Sequence, residues 1–141
     1  MEIKEQLLQK ANNAKNNAYA PYSNYKVGAS ILSKNGNMYS SCNVENISYP
    51  CGTCAEAGAI AAMIAGGDKC ISAILIVAEA KELVYPCGAC LQRIAEFSDD
   101  ETIIYLANSK EICKQYHVRD LLPQNFKATE LKRWLNKQLI T

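Results

Sequence analysis

The stretch Ile71-Ser72-Ala73-Ile74-Leu75-Ile76-Val77 decides the architecture. All but Ser72 are apolar, and no polar alternation marks a solvent side. Such a run reads as a strand covered on both faces. A second strand-length apolar run, Thr102 to Ala107, follows a segment that fits one short helix, roughly Gly88 to Phe97 behind Pro86. Upstream, the alanine-rich segment Cys54 to Ala65 reads as another helix, with Thr53 as its N-cap and Gly66-Gly67 as its stop. Apolar strands separated by helix-length segments predict an α/β fold, a mixed sheet with helices on its faces.

Moving outward, Tyr25 to Leu32 reads as a strand, and Asn35-Gly36 turns it into a return strand from Met38 to about Val44. Asn108-Ser109 leads into a fifth strand, Ile112 to Val118, and Leu121-Leu122-Pro123 closes the regular part. Residues 3–18 form one helical stripe through Ile3, Leu7, Leu8, Ala11, Ala14 and Ala18. Ala128 to Leu139 predicts a last amphipathic helix with Leu131, Trp134, Leu135 and Leu139 on one side. No repeat or linker interrupts the chain, so a single domain over residues 1–141 is expected.

Charge narrows the function classes. Fifteen basic and fourteen acidic residues leave a net charge of +1, which provides no field for nucleic acid or an anionic membrane. No apolar run reaches the roughly 20 residues of a membrane span. The start, Met1-Glu2-Ile3-Lys4-Glu5, lacks the apolar core of a secretion signal. A cytoplasmic protein is expected.

Seven cysteines, an odd number without a secretion signal, argue against a disulfide framework and for metal or reactivity. Two pairs stand out, Cys51-Gly-Thr-Cys54 and Cys87-Gly-Ala-Cys90, with Glu56 two residues after Cys54. A cysteine pair at a helix start aims both thiols at one point, and the positive helix end stabilises the thiolates. A third thiolate from a second helix start leaves one tetrahedral zinc position open, the mark of a catalytic site. Glu56 then stands beside the metal without binding it, placed to take a proton from the attacking water. Cys54-Ala55-Glu56 followed by Pro86-Cys87-Gly88-Ala89-Cys90 is the zinc deaminase pattern in its three-cysteine form.

Two competing readings use the same residues. A structural zinc module would close on Cys51, Cys54, Cys87 and Cys90, but 32 residues separate the pairs, more than such modules usually span. A thioredoxin-like thiol protein would use one pair and leave the other pair and Glu56 without a role.

From about Ala18 to Phe126 the chain resembles the small cytidine deaminases with three cysteine ligands. Tyr19 to Ala29 is similar to the family's opening, Asn43-Val44-Glu45-Asn46 to its ribose motif, and Leu121-Leu122-Pro123 with Phe126 to its ending. The resemblance implies a three-layer α/β/α sandwich around a five-stranded mixed sheet. It implies one zinc ion per subunit, a homotetramer, and hydrolysis of cytidine or deoxycytidine to the uracil nucleoside and ammonia. It assigns zinc to Cys54, Cys87 and Cys90, proton transfer to Glu56, and ribose to Asn43 and Glu45. Tyr25, Ala55 and Phe126 become further substrate contacts, Phe126 in a neighbouring subunit's site. Plainer roles compete: Tyr25 as a strand residue, Asn43 and Glu45 as the polar end of a strand, Phe126 as local core. Cys42, Cys70 and Cys113 read as packing residues and His117 as a surface or strand-end residue.

The sequence departs from the family at two places. Ala57 and Leu91 stand where the family commonly has arginine. Zinc with three thiolates is anionic, and a guanidinium normally offsets that charge. Arg93, one helical turn after Cys90, is the candidate to supply it; a solvated surface arginine is the alternative. The departures keep open a modified cytosine nucleoside or a blasticidin-type antibiotic as substrate. A nucleic-acid deaminase would need a basic channel; against it stand the net charge of +1 and the most basic stretch, Lys127 to Lys137, which reads as an amphipathic helix.

Overall fold

The strand read from Ile71 to Val77 runs one residue further, as β3 (Ile71–Ala78), and is buried almost throughout. The structure, a computed structural model, describes residues 1–140; the side chains of 134–136 and 138–140 are outside that description. In chain order the elements are α1 (Ile3–Asn16), β1 (Val27–Ser33), β2 (Met38–Cys42), α2 (Ala55–Ala65), β3, α3 (Gly88–Glu96), β4 (Ile103–Ala107), β5 (Ile112–His117), the short α4 (Val118–Leu121) and α5 (Ala128–Ile140). The sheet order is β2-β1-β3-β4-β5. Only β3 and β4 run parallel; the other pairs are antiparallel. This is the five-stranded mixed sheet expected above.

The register explains the apolar composition of β3. Ala73, Leu75 and Val77 face one way and pack with Leu7 and Ala11 of α1. Ile74 and Ile76 face the other way and pack with Ala59, Ile60 and Met63 of α2 and Ile94 of α3. The strand is the floor of two cores, so apart from the half-buried Ser72 near its start every residue is apolar and buried. Each fully buried Ile or Leu there contributes roughly 1.5–3 kcal/mol. The layers are therefore α1, sheet, and α2 with α3.

Two close approaches set the helix positions. A Cβ at Gly28 would stand 2.0 Å from the Ala11 carbonyl oxygen, so glycine lets α1 lie directly on β1. A Cβ at Gly58 would stand 2.2 Å from Ser41 Oγ, which seats α2 against β2 in the same way. At the far end of α2, the buried Asp68 accepts hydrogen bonds from Asn35, Asn37, Tyr39 and Ser33. Those donors, Asn35 first, hold its carboxyl well below the usual carboxylate range. Asp68 thereby locks the β1–β2 hairpin, whose Gly36 has φ of 87°, onto the segment that leaves α2.

Several boundaries differ from the sequence reading. The N-cap of α2 is Cys54, not Thr53. Thr53 is instead tied to Val44 by reciprocal backbone bonds of 2.9 and 2.8 Å. The return strand ends at Cys42, and Val44 forms bridges to Tyr19 and Thr53 rather than continuing β2. Tyr25 precedes β1 instead of lying within it. After β5 the chain makes the helical turn α4, where the Asp120 carboxylate accepts the His117 N–H at 2.8 Å. His117 is the last residue of β5, the strand-end position expected for it. Cys70 and Cys113 are exposed and only Cys42 is half-buried, so a packing role fits Cys42 alone. Trp134, Leu135 and Leu139, which define the apolar side expected for α5, lie outside the described side chains.

Candidate active site

Backbone bonds stitch the three motif segments together. The Tyr19 N–H donates to the Asn43 carbonyl at 3.1 Å, and the Glu45 N–H returns to the Tyr19 carbonyl at 2.8 Å. Val44 and Thr53 then pair reciprocally, which delivers the chain to Cys54. The opening segment, the Asn43–Asn46 motif and the start of α2 are thus one patch.

Both helix starts in this patch carry a cysteine cap. Cys54 caps α2 with its carbonyl accepting the Gly58 N–H at 3.1 Å, and Cys87 caps α3 with its carbonyl accepting the Leu91 N–H at 3.0 Å. Neither sulfur makes a cap hydrogen bond. Cys90 is in the first turn of α3 and is buried, and Glu56, the second residue of α2, is 6% exposed. Burial raises the Cys90 thiol's pKa, and the Glu56 carboxylate and Cys54 add to the shift. The structure therefore brings Glu56, Cys54 and Cys90 together.

Cys87, like Cys54, is exposed. Among the described residues no three side chains are already closed into a metal cage. The donor set still suits zinc. Cap and third positions of a helix face the same side, so Cys87 shares Cys90's side of α3. Both helix starts favour anionic sulfur. An accumulation of thiols and a carboxylate in a partly buried place calls for a cation. Cys51 ends a 3₁₀ turn, Tyr49–Cys51, and directs its thiol to Ser48 Oγ at 3.5 Å, which does not favour the four-cysteine module.

Arg93 donates from Nη1 to Cys90 Sγ at 3.6 Å, so its guanidinium reaches the thiol rather than standing clear of the cluster. The space beside Ala57 is a groove of about 400 Å³ between α2 and α3, lined in part by Ala61, Arg93, Glu96 and Phe97. It runs along the helices, away from the cysteine caps.

The ribose-motif residues carry structural bonds. Asn43 Oδ1 accepts the Val27 N–H at 2.9 Å and its Nδ2 donates to the Tyr25 carbonyl at 2.8 Å, so it holds the entry to β1. The Glu45 carboxylate accepts from the Ser23 hydroxyl and from the Tyr22 and Ser23 N–H groups. The Ser23 hydroxyl is the main reason the Glu45 carboxyl lies below its usual range. Glu45 also lines a cleft of about 310 Å³ with Tyr22, Ser23, Asn46, Tyr49 and Gly52. Ala55 is fully buried at the start of α2, whereas the Phe126 ring is 62% exposed rather than part of the local core.

One residue of this patch had no role in the sequence reading. Gln92 holds both backbone groups of Phe126: Nε2 donates to the carbonyl at 2.9 Å, and Oε1 accepts the N–H at 3.3 Å. Its place two residues after Cys90 was the only available hint.

A mixed five-stranded sheet presenting two cysteine-capped helix starts to a buried glutamate has the frame of a zinc-type hydrolytic deaminase. The family model of the cytidine and deoxycytidylate deaminase zinc-binding region matches residues 1–107. The chain is 38% identical to the cytidine deaminase of Sporosarcina psychrophila, over 90% of this chain and 93% of that one. It is likewise 38% identical to the cytidine deaminase of Halalkalibacterium halodurans, over 91% and 97%. The crystal structure of cytidine deaminase from Burkholderia pseudomallei superposes with a TM-score of 0.82 at 37% identity, covering 89% of this chain and all of that one. A more distant match is the blasticidin-S deaminase of Bacillus cereus, 26% identical over 72% of this chain and 77% of that one. This chain belongs to the cytidine and deoxycytidylate deaminase family.

Proposed function

We propose that this chain, as one domain over residues 1–141, catalyses zinc-dependent hydrolysis of cytidine and deoxycytidine to uridine and deoxyuridine with release of ammonia. The observation that carries the reading is the buried Glu56 carboxylate beside the Cys54 and Cys90 thiols at two helix starts. Cys54, Cys87 and Cys90 would hold the zinc ion, which when bound supplies an activated water at neutral pH. Glu56 takes one proton from the attacking water and passes it to ring N3; it then takes the proton of the hydroxyl formed at C4 and gives it to the amine, which leaves as ammonia while the C4 carbonyl forms. Its burial keeps that proton within the site. Arg93 offsets the negative charge of the sulfurs through Cys90.

The substrate contacts follow from the patch. Ala55 opens α2 with a backbone N–H that has no partner within the helix, a donor for the pyrimidine. Glu45 faces the cleft and receives a ribose hydroxyl. Asn43 keeps its second amide N–H and a second carbonyl lone pair for the same group. Tyr25 forms a wall for the base. The exposed Phe126, held at its backbone by Gln92, enters a neighbouring subunit's site in a homotetramer. Exposed Ile47 and Tyr49 beside the cleft supply further apolar surface for that assembly. The site needs no nucleic acid, and no helix among the described residues is long and apolar enough to cross a membrane.

The test is ammonia release from cytidine, deoxycytidine, cytosine, cytidine monophosphate and blasticidin S, with zinc measured in the same samples. Nucleosides should be turned over, and kcat/KM for free cytosine should be lower by on the order of 10⁴-fold, as in sites built to bond a substrate hydroxyl. Equal values for cytidine and cytosine would remove the ribose reading. Faster turnover of blasticidin S than of cytidine would move the chain to the antibiotic-inactivating class.

A further inference from the structure

Among the described residues, three buried side-chain polar atoms lack any hydrogen-bond partner, and one of them, the Tyr25 hydroxyl, belongs to the proposed site. A buried hydroxyl without a partner is costly, because folding removed its bonds to water and returned nothing. Native proteins keep few such groups, and one that persists at a site calls for a reason. The Tyr25 N–H already donates to Ser23 Oγ at 3.0 Å, and the Tyr25 carbonyl accepts from Asn43 Nδ2 at 2.8 Å. The backbone is therefore pinned on both sides, which fixes the direction in which the side chain leaves the main chain. The phenol's pKa is raised, first by its burial and then by the negative charge of Glu56, which places the hydroxyl in that carboxylate's field. A phenylalanine would fill the same wall without the unpaired oxygen.

We propose that the Tyr25 hydroxyl is a specificity-determining group, left unpaired in the free protein in order to hydrogen-bond the polar edge of the bound pyrimidine on its Glu56 side. The proposal rests on the cytidine deaminase reading. Among the described residues no side chain or backbone group competes for the hydroxyl, so a bond to the base would strengthen its binding and alignment with no intramolecular bond to break. This is preorganisation, with stability given up in the free state for recognition in the bound one.

The decisive variant is Tyr25→Phe, which keeps the ring and removes one atom, so folding is not at risk. Thermal unfolding and cytidine kinetics should then move in opposite directions. The variant should have a higher Tm than the parent without ligand, a smaller rise in Tm on adding uridine, and a kcat/KM for cytidine lower by about 10–100-fold, the scale of one lost hydrogen bond in a buried site. A Tyr25→Phe protein with unchanged kcat/KM would overturn the proposal, as would a lower Tm, which would mean that the hydroxyl has a structural partner. If the parent chain itself released no ammonia from cytidine, the deaminase reading would fall, and this proposal with it.

Discussion

The helices α2 and α3 start alike and then diverge. Each is capped by a cysteine in extended conformation, with φ and ψ of −74° and 154° at Cys54 and −72° and 168° at Cys87. After the cap, α2 continues Ala55-Glu56-Ala57, while α3 continues Gly88-Ala89-Cys90 and reaches Arg93. The first turn of α2 thus contributes a buried acid, and that of α3 a buried thiol. The guanidinium that meets the thiol is also on α3. In the proposed reading both helix ends supply sulfur to the zinc ion, and beyond that their tasks differ: α2 would move the proton through Glu56, and α3 would balance charge through Arg93. With alanine at position 57, the guanidinium that reaches a sulfur in this chain comes from Arg93 of α3.

That division makes distinct expectations for each helix. Cys87→Ser should remove zinc and all turnover, whereas Cys51→Ser should retain both; metal analysis of the two purified proteins checks this. Equal loss in the two would replace the three-ligand division with a four-sulfur cluster shared by both pairs. Glu56→Gln should keep the zinc and the fold and lower kcat by about 10²–10⁴-fold or more, since one group serves several proton transfers. Single-turnover ammonia release measures it, and near-normal rates in a folded protein would remove α2 from the chemistry. Arg93→Ala is the smallest effect: zinc affinity or kcat should fall by about 10–100-fold, with Arg93→Lys recovering only part, because lysine lacks the planar donor pair. A chelator competition titration separates affinity from rate. An Arg93→Ala protein that is indistinguishable in both would leave the sulfur charge to the two helix ends alone.

How much of this was legible in the sequence varied with the range of the signal. The strands at Ile71 and Thr102, the helices after Cys54 and around Cys90, and the hairpin at Asn35-Gly36 all follow from local composition, and each is present within a few residues. The contact from Arg93 to Cys90 was legible too, because three residues along one helix face each other. Asn43 and Glu45 stood out as a motif, but their bonds to Tyr25, Val27, Tyr22 and Ser23 join segments about twenty residues apart. Gln92 reaches Phe126 across 34 residues, and no local pattern announces such a pair. Thr53 looked like a cap because threonine favours that position. Its backbone pairing with Val44 took precedence and moved the cap to Cys54.

The sequence by itself determined the α/β class, the two cysteine pairs with Glu56 between them, and the reaction type these residue kinds support. Those are properties of composition and of spacing within one strand or one helix turn, where the backbone leaves few alternatives. Only the tertiary structure decided which faces of β3 meet which helices, that Gly28 and Gly58 bring α1 and α2 close to the sheet, and that the Tyr25 hydroxyl is buried without a partner. Burial and hydrogen-bond partnership are sums over residues distant in the chain, so they do not exist until the chain is packed.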